Sequence, residues 1–127
     1  MGFGTFDGIH PGHLFFLRQL KQLGDELFVV VARDRNVKLI KGKKPVMDEK
    51  ERRAALEKIR LADRVLIGHA KDFYHLINKF MPDVIGLGYD QKANMEELKK
   101  KFPNIKIVRL RSLEPEKYKS SLLNDGR

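Results

Sequence analysis

Two histidines three residues apart, His10 and His13, bracket Pro11 and Gly12 in the segment Gly4-Thr5-Phe6-Asp7-Gly8-Ile9-His10-Pro11-Gly12-His13. Proline suits the first position of a helix, so the pair is expected to flank a helix N-terminus, where unpaired backbone N–H groups and the positive end of the helix dipole favour an anion. Both imidazoles are able to donate hydrogen bonds to phosphate oxygens, and Gly12 lets the backbone come close to one. Phosphate binding is the chemistry this spacing suggests. Three other readings compete with it. Gly2-x-Gly4-x-x-Asp7 misses the third glycine of a dinucleotide fingerprint, although Asp34 stands where a ribose-binding acid would. His10-x-x-His13 has the spacing of a zinc pair, but only Asp7 is near enough in sequence to serve as a third ligand. The histidines could also be plain turn residues, which their placement between a Gly-Thr-Phe-Asp turn and an amphipathic stretch argues against.

Further candidates are scattered. Lys38, Lys41, Lys43 and Lys44, with Arg33 and Arg35 upstream, form a basic run expected on a loop after the second strand. Such a run is ordinarily a solvated face, yet beside Gly42 the ammonium groups could swing over a bound triphosphate. Asp90 lies in a Gly-Tyr-Asp-Gln turn, where an aspartate is commonly structural. Ser120 and Ser121 fit an ordinary N-cap equally with a short final helix whose N–H groups face phosphates. Arg111 is one more phosphate candidate. His69 and His75 read as surface residues with nothing gathered about them.

The elements that must carry these residues follow from periodicity. Met1 to Gly4 reads as a first strand, Pro11 to Leu23 as a helix and the apolar run Glu26 to Ala32 as a strand covered on both faces. Asp48-x-x-Glu51 has the form of a capping box opening a helix to about Arg60, with Ala55, Leu56 and Ile59 inward. Arg64 to Ile67 is a short strand. Phe73, Leu76, Ile77, Phe80 and Met81 repeat at helical spacing until Pro82. Asp83 to Gly88, a helix opened by Asn94-x-x-Glu97 and ended by Pro103, and a strand from Ile105 to Leu110 complete the pattern. The fold class is α/β: a Rossmann-like three-layer arrangement with a five-stranded parallel sheet and helices on both faces, formed as a single domain over residues 1–127. Ligands of such sheets bind beyond the carboxyl ends of the strands, where the strand order reverses. Since only Met1 to Phe3 precede the signature and Ser120-Ser121 stand close to Arg127, a short first strand and a short last helix are expected.

Composition narrows the classes. The 127 residues include 26 Lys+Arg against 17 Asp+Glu, a formal charge of +9 that favours anionic partners without choosing among them. With no Cys, a disulfide framework, a thiolate nucleophile and a Cys-based zinc site are excluded, and a cytoplasmic location is expected. The longest apolar run, Leu27 to Ala32, is too short to span a bilayer, and the first residues have neither the basic nor the apolar region of a signal peptide. A nucleic-acid-binding module would suit the charge, but no recognition helix or aromatic-interleaved basic strand is apparent.

Gly4 to His13 resembles the signature of the cytidylyltransferase-like nucleotidyltransferases, whose hallmark is HxGH. Arg60-Leu61-Ala62-Asp63-Arg64-Val65 is similar to that family's Arg-x-x-Asp-x-Val segment, Gly88-Tyr89-Asp90-Gln91 to its loop after the fourth strand, and Ser120-Ser121 to its C-terminal Ser/Thr element. Within the family, Ala32-Arg33-Asp34, Lys41 to Pro45 and Leu87 to Gln91 most resemble the archaeal-type FAD synthetases, with glycerol-3-phosphate cytidylyltransferase as the alternative. The resemblance implies transfer of AMP from ATP to FMN with release of pyrophosphate, small-molecule partners and a tendency to form homodimers. It implies catalytic roles for His10 and His13 and an active-site lysine at Lys41 or Lys43. Nucleotide contacts would come from Gly4, Thr5, Phe6, Asp7, Pro11, Gly12, Asp90, Arg111, Ser120 and Ser121. Mg²⁺ would arrive on the triphosphate, in keeping with the lack of a carboxylate cage in the sequence.

Overall fold

The computed structural model describes residues 1–88 and 95–111. Its elements are β1 (Gly2–Gly4), α1 (Pro11–Lys21), β2 (Phe28–Val31), α2 (Asp34–Lys41), α3 (Glu49–Ile59), β3 (Arg64–Ile67), α4 (His75–Phe80), β4 (Val84–Leu87), α5 (Met95–Lys101) and β5 (Lys106–Arg109). All strand pairings are parallel, in the order β3-β2-β1-β4-β5, so the expected five-stranded parallel sheet is the observed one. The order reverses between β1 and β4, and the crevice beyond their carboxyl ends is where a ligand belongs.

Two cores result. Leu17 and Leu20 of α1 and Leu56 of α3 pack with Val29, Val31 and Val65 on one face, while Ile77, Leu98 and Phe102 pack with Val30, Ile85 and Leu87 on the other. The alternation along Val29-Val30-Val31 sends successive side chains to opposite layers, which is why this strand reads as unbroken apolar sequence. Helix α1 lies unusually close to the sheet. At Gly2 of β1 and Gly86 of β4 an added Cβ would collide with the Leu20 side chain, so two adjacent glycines seat α1 directly across the reversal point.

Some elements depart from the periodic reading. The basic stretch after β2 is no loop but helix α2, which has Asp34 in its first turn, Lys38 and Lys41 in its last, and Gly42 capping it with a left-handed backbone (φ 81°). Those charges complement the helix dipole, but Val37 is its one buried residue, so it lacks an apolar stripe from which to read a helix. Helix α4 begins at His75, two residues later than expected, because Asp72 Oδ1 accepts the Tyr74 N–H in a turn that precedes it. β2 is shorter than the apolar run that contains it.

Candidate active site

His13 belongs to the first turn of α1, and Asp7 and His10 to the connection from β1 to α1. Phe6 turns the chain there with φ 55°, a conformation an aromatic residue adopts only under constraint. The constraint is burial: Phe6 is 3% exposed in the first core, so its side chain is not offered to a ligand. Its ring instead supports His13 edge-on at 5.3 Å.

His10 is the N-cap of α1, with its Nδ1 accepting the Gly12 N–H at 3.1 Å. His13 Nδ1 accepts the His10 N–H at 3.3 Å. A neutral imidazole has one donor and one acceptor nitrogen, so both rings are held in the tautomer with the proton on Nε2. The rings stack face to face, centroids 3.7 Å apart and planes 22° from parallel. Two Nε2–H donors therefore ride side by side on one helix end. Gly12 is needed for this: a Cβ there would lie 2.8 Å from His10 Cε1 and push the ring away. The free N–H groups expected at this helix start are already used. Pro11 has none, Gly12 donates to His10, and the N–H groups of His13 and Leu14 both reach the His10 carbonyl. What the turn presents to an anion is the imidazole pair and the positive end of α1.

Lys41 and Lys43 are exposed, Lys41 as the last residue of α2 and Lys43 just beyond its glycine cap. The strap that carries them is tethered at both ends. At its start, the Arg33 Nε donates to the Gly68 carbonyl at 2.6 Å, and the Asp34 N–H donates to Glu49 Oε1 at 3.0 Å. At its far end, the N–H groups of Val46 and Met47 donate to Asp7 Oδ2 and Oδ1 at 2.8 and 2.9 Å. These two backbone bonds, Met47 first, with the charges of Arg52 and Lys41 helping, hold the Asp7 carboxyl below its ordinary value of 3.8. Asp7 is thus the anchor joining the lysine strap to the histidine turn.

Arg52 completes the joint and was missed by the sequence reading. It is fully buried, and its guanidinium donates to the Thr5 carbonyl at 2.8 Å, to the Met47 carbonyl at 3.0 Å and to Asp34 Oδ1 at 2.6 Å. One planar fork therefore ties the signature turn, the strap and the start of α2 together. A signal was present: Arg52 precedes Leu56 and Ile59 by four and seven residues, which puts an arginine on the inward face of α3.

Arg111 leaves the end of β5 with its backbone gripped by α1: the Gln19 amide donates to the Arg111 carbonyl at 2.9 Å, and the Arg111 N–H donates back to Gln19 Oε1 at 3.2 Å. Asp90, Ser120 and Ser121 lie outside the described residues. His69 and His75 are less isolated than the sequence suggested, with rings 4.5 Å apart. Among the described residues, no cluster of three or more His, Asp or Glu is placed to hold a metal ion, and no helix is long and apolar enough to cross a membrane.

Comparison with known proteins fits this geometry. The model of the cytidylyltransferase-like family matches residues 1–123. The chain belongs to that family. A FAD synthase of Aciduliprofundum boonei is 45% identical over 100% of this chain and 84% of its own length, and one from Archaeoglobus fulgidus is 46% identical over 87% and 82%. The crystal structure of a protein described as a lipopolysaccharide core biosynthesis protein, from Thermoplasma volcanium, superposes with a TM-score of 0.84 at 41% identity, covering 90% of this chain and 96% of that one. The family's three-layer fold and the sheet described above agree.

Proposed function

We propose that this chain is an FMN adenylyltransferase, joining AMP from ATP to FMN to give FAD and pyrophosphate. The observation that carries the reading is the stacked His10–His13 pair, with both Nε2–H donors fixed at the start of α1 where the strand order reverses. Family membership and the FAD synthase relatives support the reaction and the acceptor, and weigh against the glycerol 3-phosphate alternative.

A phosphate oxygen of FMN attacks the α-phosphorus of ATP in line. The new P–O bond forms as the bond to the β-phosphate bridging oxygen breaks, and pyrophosphate leaves with the electron pair. The protein's part is positioning and charge stabilisation. His10 and His13 donate to the oxygens on which charge builds, helped by the dipole of α1. Lys41 or Lys43 reaches the β and γ phosphates from the tethered strap, and Arg111 and the backbone of the signature turn frame the nucleotide, as do Asp90, Ser120 and Ser121. A divalent cation, in our reading Mg²⁺, enters as part of the ATP substrate, and the enzyme works on small molecules in the cytoplasm.

The test is a pair of incubations followed by chromatography, ATP with FMN and CTP with glycerol 3-phosphate. FAD and pyrophosphate in equal amounts from the first, with nothing from the second, is expected. Product only from the second pair, or from neither, contradicts the proposal.

A further inference from the structure

Resting on that reading of the acceptor, we propose that Phe73 is the platform on which the isoalloxazine ring of FMN lies. A flat aromatic ligand needs an exposed ring face held still, and the described aromatic residues sort clearly by that requirement. Phe6 and Phe102 are 3% and 4% exposed and belong to the cores. Phe28 and Phe80 meet edge to face beneath the Arg64 guanidinium, flanked by the Pro82–Val84 segment at the amino end of the sheet, away from the crevice. Tyr74 is half-buried, its ring edge against Phe102 and its hydroxyl donating to Glu97, which pushes its pKa up to about 12. Phe15 and Phe16 of α1 are half-buried, and Phe73 alone among the described phenylalanines is exposed, at 50%.

Its position and rigidity carry the argument further. Phe73 sits in the connection that leaves the carboxyl end of β3 and enters α4. There it packs on Phe3, ring centroids 5.1 Å apart and tilted by 36°. Phe3 directly precedes Gly4 and packs with the second core, so the exposed ring lies on the sheet face opposite α1, beside β1, whose carboxyl end leads into the histidine turn. The ribityl chain is what must bridge from such a ring to a phosphate at the start of α1. The connection is fixed by its own side chains: His69 Nδ1 accepts the N–H groups of Lys71 and Asp72 at 3.2 and 3.0 Å, Asp72 Oδ1 accepts that of Tyr74 at 2.9 Å, and the Tyr74 ring braces Phe73 edge-on at 5.4 Å. One face of the Phe73 ring is thus supported from below while half the residue stays open. The exposed aliphatic residues Leu39, Ile40 and Val46 offer no flat face.

The experiment compares wild type with Phe73→Ala, Phe73→Leu and Phe73→Tyr, varying FMN at saturating ATP and ATP at saturating FMN, with flavin fluorescence as a direct probe of FMN binding. Phe73→Ala should raise KM for FMN about tenfold, the worth of one aromatic stack, and weaken by a similar factor the FMN binding read from flavin fluorescence anisotropy. KM for ATP should stay within about twofold, and Phe73→Tyr should retain wild-type behaviour. Because Phe73→Ala uncovers Phe3 and can weaken the fold, Phe73→Leu keeps the apolar cover and should still lose FMN affinity. Unchanged KM for FMN in both Phe73→Ala and Phe73→Leu, or equal rises for FMN and ATP, overturns the platform while leaving the reaction standing. A wild-type chain that makes no FAD overturns the acceptor reading and the platform together.

Discussion

The histidine turn and the lysine strap sit side by side at the same sheet edge, yet they are built in opposite ways. The hydrogen bonds described for His10 and His13 run between residues two to four apart: Nδ1 to Gly12, Nδ1 to the His10 N–H, and the His10 carbonyl to the next turn. The strap from α2 to Met47 is held by partners far along the chain, Asp7 across 39 and 40 residues, Arg52 from 18 residues beyond Asp34, and Gly68 across 35. A turn closed largely by local bonds depends less on the rest of the domain. A segment held mainly by remote contacts keeps its geometry while those contacts last.

That contrast can be broken most severely at the turn. His13→Ala removes a donor and one edge contact on Phe6, and should lower kcat by ~10²–10³-fold with only a small shift of the thermal transition. Near-normal turnover would remove this ring from the mechanism. Next in size is the hub of the strap. Arg52→Met leaves Asp34 and two carbonyls without their partner and should cost about 3 kcal/mol in denaturant unfolding, while the His10–His13 tautomers persist. An unshifted midpoint would mean that the strap is not held through Arg52.

Smaller again is the separation of the lysines. Of Lys41→Ala and Lys43→Ala, one should raise KM for ATP by about tenfold or more and the other by less than about twofold, since one charge-assisted contact is at stake. Equal, slight effects from both would leave the strap a solvated face. The mildest effect concerns pH. Asp7 is held below 3.8 in the folded protein, so its anchoring is fully present above that value and is lost as pH falls through the lower, folded one. The protection factors of the Val46 and Met47 amides should therefore fall as the pH drops below 3.8, while those of His13 and Leu14, which donate to the His10 carbonyl, hold. Parallel loss of protection at both places would erase the distinction.

The same contrast explains what was readable in advance. The parallel sheet, its alternation with helices and the histidine pair were legible because their signals are short-range: apolar runs, capping residues and a four-residue motif. Helix α2 was not, since a single inward Val37 supplies no period and the basic composition resembles a loop. Arg52 was not, because an arginine on an inward helix face declares nothing until Thr5, Asp34 and Met47 are brought around it by the fold. Phe6 was legible as part of the signature but not as a buried prop under His13, which depends on its left-handed backbone. Phe73 was one aromatic among several until the β3–α4 connection laid it on Phe3.

The paired imidazoles are best examined by ¹⁵N resonances of His10 and His13, recorded with and without a non-hydrolysable ATP analogue carrying Mg²⁺. Both rings should hold the proton on Nε2 in the free protein, and both Nε2 signals should move when the analogue binds. A proton on Nδ1 in either ring, or Nε2 signals indifferent to the triphosphate, would contradict the account.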